Sequence, residues 1–323
     1  MKISLITPAK KQSKGGNRTT ALRWARMLRQ AGHRVRIDVD YGGEAVDLMI
    51  AIHAWRSADA ILRYRERFPN GPLVVALGGT DVNTYLLSHP ETTLRSMEMA
   101  DALICLHDLI GEALPAALRR KLHVVHQSAL PLPGPRRPAQ RYFDVCVIGH
   151  LRAEKDPFRT ALAARRLPPA SRLRVIHLGS AHTPAYASQA AAEMAVNSRY
   201  RWLGEVPGWR VRRELAKTRA MVISSTQEGG ANVVSEAIVS DVPVIASDIA
   251  GNVGLLGREH PGIYPLGDEA ALARLLDRCE TEPGFLETLE RFGRRLKPLF
   301  RPAHEQAALE RIVNLAGKCP RSG

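Results

Sequence analysis

Short apolar runs rich in Val, Ile and Leu alternate along the chain with longer stretches whose apolar residues recur at helical spacing. Residues 2–7 read as a first strand. A polar loop over 8–17 follows, then a helix carrying Ala21, Leu22, Ala25 and Leu28 that Gly32 stops. Further strands are expected at 35–39, 47–52, 72–77, 102–106 and 123–125, with helices over 57–68 and 90–100 between them. A serial strand–helix pattern of this kind builds a parallel sheet.

The run Leu130-Pro131-Leu132-Pro133-Gly134-Pro135 interrupts the pattern. Proline at this density suits neither a helix interior nor a central strand, because it lacks an amide hydrogen and fixes φ. Residues 131–139 therefore read as a linker between a domain over 1–130 and a second over 140–323, with the last helix free to pack back on the first domain. Beyond the linker the pattern restarts. Strands are expected at 143–148, 173–179, 200–203, 220–223 and 242–246. Helices are expected at 156–164, 211–217, 233–239, 269–278, 282–295 and 305–315, with a glycine turn over 248–254. The fold class is α/β: two doubly wound domains facing a central cleft, the natural place for a ligand.

Composition narrows the class. The 323 residues suffice for two domains, and 45% hydrophobic content supports packed cores. The four cysteines, Cys105, Cys146, Cys279 and Cys319, are scattered and form no C-x-x-C pair. That disfavours a zinc site or a disulfide framework and fits a reducing, cytoplasmic setting. The first apolar run is too short for a signal peptide, no stretch approaches membrane-spanning length, and no stable membrane insertion is expected. The net charge of +14 points either to nucleic acid or to small anionic ligands. With 5% aromatic residues and basic residues dispersed among the helices, the second is favoured and no nucleic-acid partner is expected.

The chemistry-bearing segment is Glu228-Gly229-Gly230-Ala231-Asn232-Val233-Val234-Ser235-Glu236, between a strand and a helix start. Its glycines let the backbone approach a ligand closely. The free amides of the new helix favour an anionic group such as a phosphate. Glu228 sits at the loop, and Glu236, about one turn into the helix, can accept hydrogen bonds from ribose hydroxyls. By itself the pair also fits two carboxylates on a helix surface. At the exit of the strand over 143–148, Gly149-His150-Leu151-Arg152-Ala153-Glu154-Lys155-Asp156-Pro157 puts Lys155 at a carboxyl end facing the cleft. A solvated lysine at a helix start is the plain alternative.

In the first half, Gly15-Gly16-Asn17-Arg18-Thr19-Thr20 joins the first strand to the first helix, beside Lys10, Lys11 and Lys14. Such a helix start is an anion site, or else a lid with ordinary surface lysines. His53 and Thr80-Asp81 end neighbouring strands, a convergence expected of an active site. His53 alone is equally a structural histidine. His107, His126 and Gln127-Ser128 are further candidates at strand ends.

The Glu-x7-Glu segment resembles the motif of the family-4 glycosyltransferases, which have the GT-B fold of two Rossmann-like domains. Five strings extend the likeness: 16–25, His150–Pro157, Tyr200-Arg201-Trp202-Leu203-Gly204-Glu205, Glu228–Ala237 and Gly251-Asn252-Val253-Gly254-Leu255-Leu256-Gly257. Through them almost the whole chain resembles the selenosugar synthases of bacterial selenoneine biosynthesis. The resemblance implies transfer from a UDP-sugar such as UDP-GlcNAc to selenophosphate, forming a carbon–selenium bond; with Lys155 and an arginine expected to meet the charge of the leaving diphosphate, no metal or other cofactor is expected. It implies donor contacts from Gly16, His150, Lys155, Glu228, Gly229, Gly230, Ala231, Asn232, Val233 and Glu236. Acceptor contacts fall to Gly15, Gly16, Asn17, Arg18, Thr20, Thr80, Asp81 and Gln127. Lys155, Arg152, Glu228 and His53 are the expected catalytic groups. His150 stands where the family's Gly-Arg-x5-Lys pattern has arginine, and Arg152 is the substitute. The expected partners are the UDP-sugar, selenophosphate and an enzyme that produces it. Two other readings remain: a family-4 glycosyltransferase acting on a hydroxyl of a lipid or cell-envelope acceptor, and a basic RNA-binding protein.

Overall fold

The computed structural model describes residues 1–13 and 15–318; Lys14 and Cys319 lie outside the described residues. The chain forms two compact units. One is residues 1–127 together with the helix Pro302–Lys318, and the other is residues 128–301.

The first unit is built on β1 (Lys2–Ile6), β2 (Arg34–Asp38), β3 (Leu48–Ile52), β4 (Leu73–Ala76), β5 (Ala102–Cys105) and β6 (Leu122–Val124). All pairings are parallel, in the order β2-β1-β3-β4-β5-β6. Successive strand residues face opposite sides. Leu48, Ile50 and Ile52 therefore join one core with Trp24 and Leu28 of the helix Gly16–Gln30 and with Leu309 and Ile312 of Pro302–Lys318. Met49 and Ala51 join the other, against Ile61 and Tyr64 of the helix Ala58–Arg67 and Met97 of Pro90–Met99. Burial on both faces explains why these strands read as unbroken apolar runs. The last helix is latched by a buried carboxylate: Trp24 Nε1 donates to Glu305 Oε1 at 2.8 Å, and Arg23 lies 3.2 Å from the same oxygen.

The second unit carries β7 (Phe143–Ile148), β8 (Leu173–Leu178), β9 (Tyr200–Trp202), β10 (Ala220–Ile223), β11 (Val244–Ser247) and β12 (Ile263–Tyr264). They form a second parallel sheet, β12-β11-β10-β7-β8-β9. Its strand order reverses between β7 and β10, and in the first sheet the reversal lies between β1 and β3. Ligands of doubly wound sheets bind outside the carboxyl ends of the strands at such a switch point. Each unit thus has one edge where function is expected.

The proline-rich stretch expected to link two domains lies within the second unit. Its backbone is held there: Arg137 N donates to Ala216 O (2.8 Å), Ala139 N to Lys217 O (2.9 Å), and the Arg136 guanidinium to Thr218 O (2.8 Å). The glycine turn expected over 248–254 is a helix, Ala250–Leu256, and an unforeseen helix spans Pro184–Val196. Among the described residues no helix is long and apolar enough to cross a membrane.

Candidate active site

At the switch point of the second sheet, the exits of β7 and β10 are stitched together by short polar side chains. Ser224 donates to Lys155 O (3.2 Å) and Asp156 O (2.9 Å), and Thr226 N donates to Glu154 O (2.9 Å). The turn at Ala153–Lys155 ends on Asp156 in the left-handed region, φ 41°. It aims Lys155 at Glu228, and the two form an ion pair through Oε1. Ser225 donates to the same oxygen at 2.6 Å. The Lys155 side chain is 20% exposed and that of Glu228 9%, so the pair is shielded yet reachable.

Two glycines let the backbone close around this point. Gly179 has φ 147°, and a Cβ there would stand 2.0 Å from Gly149 O, so β8 exits directly against the β7 loop. A Cβ on Gly251 would stand 2.4 Å from Glu228 O, so the helix Ala250–Leu256 touches the Glu228 backbone. His177 lies beneath. Its Nε2 meets Gly149 O at 3.1 Å and its Nδ1 the Tyr200 hydroxyl at 3.0 Å, and burial pushes its pKa down to about 4. The neutral imidazole therefore holds the Gly149 carbonyl.

Past Glu228, Gly230 adopts φ 141° and the helix Asn232–Val239 begins without a side-chain cap. Val234 N closes onto Ala231 O at 2.9 Å, and a helix start of this kind favours an anionic group. Glu236 follows Asn232 by four positions, on the same helix face, and is half-buried. His150 accepts at Nδ1 from Ser180 N (3.1 Å), with the Ser180 hydroxyl at 2.8 Å. Desolvation, then the charge of Arg152, hold its pKa below the usual histidine value. His150 is thus a neutral donor through Nε2–H where a cation was sought. Arg152 is loosely paired with Glu154 at 3.8 Å. The second unit thus gathers Lys155, Glu228 and Ser225 into one cluster, beside the Gly149–His150 loop and the start of the Asn232–Val239 helix.

The edge of the first sheet is built differently. His53 ends β3 with φ 78°, in a region that favours glycine. Its Nδ1 lies 2.7 Å from Asp81 Oδ1 and 3.2 Å from Arg56 N, and its Nε2 meets the Thr80 hydroxyl at 2.8 Å. Asp81, fully buried, also accepts from the amides of Ala54 (2.9 Å), Trp55 (2.9 Å) and Gly78 (2.8 Å). His53, Thr80 and Asp81 do converge, but as a brace with both ring nitrogens engaged. Thr20 and Gln127 are likewise buried and bonded to each other, Nε2 to Oγ1 at 2.7 Å. Gly15 leads the helix Gly16–Gln30 without a side-chain cap, Asn17 and Arg18 are half-buried, and Lys10 and Lys11 are exposed. His107 is buried and neutral, its pKa pushed to about 4 by burial and then by His126, which itself stands 3.5 Å from Asp108.

Sequence reasoning missed the residues that organise both edges. In the second unit these are Ser224, Ser225, His177, Gly179 and Gly251. In the first they are Trp55 and Tyr85, stacked at 3.9 Å and 7°, with His89 5.0 Å from Trp55. Tyr85 closes a π-helical turn, Asp81–Tyr85, of the kind frequent at functional sites.

The family profile "Glycosyl transferases group 1" matches residues 135–297, half of the chain and every site element of the second unit. The chain belongs to this family. This glycosyltransferase is 24% identical over 294 residues to Glycosyltransferase 1 domain-containing protein 1 of Xenopus tropicalis, covering 83% of this chain and 85% of that one. Its fold resembles Anabaena HepE in complex with UDP, with a TM-score of 0.78, 16% identity and coverage of 97% and 100%. It also resembles sucrose-phosphate synthase from Thermosynechococcus elongatus, with a TM-score of 0.73, 18% identity and coverage of 97% and 98%. The two six-stranded parallel sheets of this glycosyltransferase are those of the GT-B class.

Proposed function

We propose that this enzyme transfers a sugar from a UDP-sugar, UDP-GlcNAc foremost, to selenophosphate. The observation that carries the donor half is the Lys155–Glu228 pair beside an uncapped helix start at the switch point. Departure of a nucleoside diphosphate needs positive potential where charge develops. Lys155, the positive end of the Asn232–Val239 helix and the Nε2–H of His150 supply it without calling on a metal, and activity is expected to persist in chelator. Glu236 takes the ribose hydroxyls, and Glu228 faces the sugar. A uridine donor is supported by the HepE structures, which contain UDP and UDP-glucose.

The acceptor half rests on the resemblance of the strings over 16–25, 150–157 and 251–257 to selenosugar synthases, together with the exposed Lys10 and Lys11 by the helix start at Gly16. The selenium atom attacks the anomeric carbon. The C–Se bond forms as the bond to the diphosphate oxygen breaks, and that electron pair leaves on UDP. Hydrolysis of the Se–P bond by water then yields phosphate and the selenosugar. A selenophosphate anion is already ionised at neutral pH, so no general base is needed, and His53 is assigned to bracing its strand end. An enzyme producing selenophosphate is the functional partner this reading implies.

A hydroxyl acceptor with a ring or lipid portion is the second reading, favoured by the Trp55–Tyr85 stack and by Leu87, 80% exposed nearby in sequence. One assay separates the two: incubation with UDP-GlcNAc, with and without selenophosphate, following UDP and selenium products by mass spectrometry. Selenophosphate-dependent UDP release and a selenosugar are expected. UDP release only with lipid or glycan acceptors overturns the selenophosphate assignment and leaves the donor site standing.

A further inference from the structure

The Glu228 carboxylate is the end of a buried polar chain that starts on another element. Asn252 Nδ2 donates to both the carbonyl and the hydroxyl oxygen of Ser247, each at 3.0 Å. The Ser247 hydroxyl donates to Ser225 O at 2.6 Å. Ser225 in turn donates its own hydroxyl to Glu228 Oε1 at 2.6 Å, the oxygen that Lys155 also takes. Ser225 is 1% exposed, and Ser247 and Asn252 are fully buried.

Burying three polar side chains side by side is costly, the more so because Asn252 Oδ1 has no hydrogen-bond partner among the described residues, and apolar residues would fill this volume with less penalty. Fold maintenance alone does not call for a chain that terminates on a carboxylate. Its direction matters: every donor points onward, and the last one loads Oε1. With Lys155 and Ser225 both on Oε1, Oε2 carries no protein hydrogen bond among the described residues and is left for a ligand. The contact between Gly251 and the Glu228 backbone fixes the other side of the same residue.

We propose that Ser225, Ser247 and Asn252 are positioning residues for the donor, holding Glu228 in the one orientation that grips Lys155 through Oε1 and offers Oε2 to the sugar of the nucleotide. This rests on the donor-site reading above. The test uses calorimetric binding of UDP-GlcNAc and of UMP, which lacks both the sugar and the outer phosphate, to the full chain and its variants. Glu228→Gln is the reference. Ser225→Ala removes only the loading hydroxyl, a charged hydrogen bond whose loss corresponds to about a tenfold or greater weakening.

Ser225→Ala is expected to weaken UDP-GlcNAc about tenfold and leave UMP within about twofold. Ser247→Ala is expected to shift binding in the same direction by a smaller factor, and it serves where Ser225→Ala fails to fold. Equal weakening of UMP and UDP-GlcNAc in both variants means a merely structural role and overturns the proposal. Weakening by Glu228→Gln with neither serine variant affected also overturns it, while the donor reading stands. No effect of Glu228→Gln on UDP-GlcNAc overturns both.

Discussion

Both units are built on parallel doubly wound sheets, but the strand orders β2-β1-β3-β4-β5-β6 and β12-β11-β10-β7-β8-β9 differ. So does the chemistry at their strand ends, where the acidic side chains are directed differently. In the second unit, Glu228 meets a lysine and a serine through one oxygen, beside a helix start that has no side-chain cap. In the first unit, Asp81 is saturated by three backbone amides and His53, with no part of it exposed. A carboxylate that accepts from its own backbone holds the loop and has little capacity left for a ligand. One that accepts through a single oxygen, from Lys155 and Ser225, keeps its other oxygen for a ligand. A carboxylate beyond a strand end therefore serves as a brace after β4 of the first unit and as part of a candidate reactive site after β10 of the second.

The largest break expected in this comparison comes from reversing the charge at Lys155. Lys155→Glu places two carboxylates against each other and removes the cation that meets the leaving diphosphate. Turnover of the UDP-sugar is expected to fall by about a thousandfold or more, measured as UDP release at saturating donor. Near-normal turnover would remove Lys155 from the site and leave the second edge no more reactive than the first.

Next in size is the mirror experiment in the first unit. Asp81→Ala strands the amides of Ala54, Trp55 and Gly78 and leaves His53 at φ 78° without its carboxylate partner. Stability is expected to drop by about 3–5 kcal/mol, read by chemical denaturation. A stable Asp81→Ala protein with a raised acceptor KM would recast Asp81 as a ligand contact and erase the contrast.

The ease of reading these two edges in the sequence differed for a physical reason. Strands such as Leu48–Ile52 and Ala220–Ile223 are buried on both faces, so their apolar runs announced them. The Glu228 loop was visible because glycines, a helix start and two glutamates fall within one short stretch. The helix Pro184–Val196 was not, since alanines on every side blur its amphipathic contrast, although Thr183 caps it by accepting from Tyr186 N. Ala250–Leu256 read as a turn because Gly251 and Gly254 are poor helix formers; Gly251 is there for the contact with Glu228. The proline stretch read as an interdomain linker because its anchors, the Arg136 guanidinium apart, are backbone amides and carbonyls, which residue type does not reveal. The partnerships of Lys155 with Glu228, and of Ser247 with Ser225, join residues far apart in the chain, and no local pattern encodes them.

A further contrast is in acid sensitivity. His177 and His260 of the second unit, and His107 of the first, are buried with pKa values pushed down to about 4. Each folded pKa lies below the unfolded value near 6.5, so the unfolded chain binds the proton first as pH falls. Stability is complete above about pH 6.5 and is lost progressively down to about pH 4. At pH 5 each such histidine costs about 2 kcal/mol, twice over in the second unit. Thermal midpoints are expected to fall between pH 7 and 5, and His260→Gln to flatten that slope by about one proton. An unchanged slope would mean His260 is already accommodated as a cation.

The smallest expected effect tests whether the first edge holds any ligand group at all. Thr20 accepts from Gln127 Nε2 at 2.7 Å, and both are buried, so Thr20→Val leaves one amide donor unsatisfied. The loss should be about 1 kcal/mol in a denaturation curve. If the pair only ties the first helix to the segment after β6, the acceptor KM should move no more than about twofold, a fraction of one hydrogen bond. A rise of about tenfold at unchanged kcat would mean that the Thr20 hydroxyl reaches the acceptor in the working enzyme. The first edge would then be a binding surface assembled from braced residues, and the division of labour between the two carboxylates would extend only to the donor.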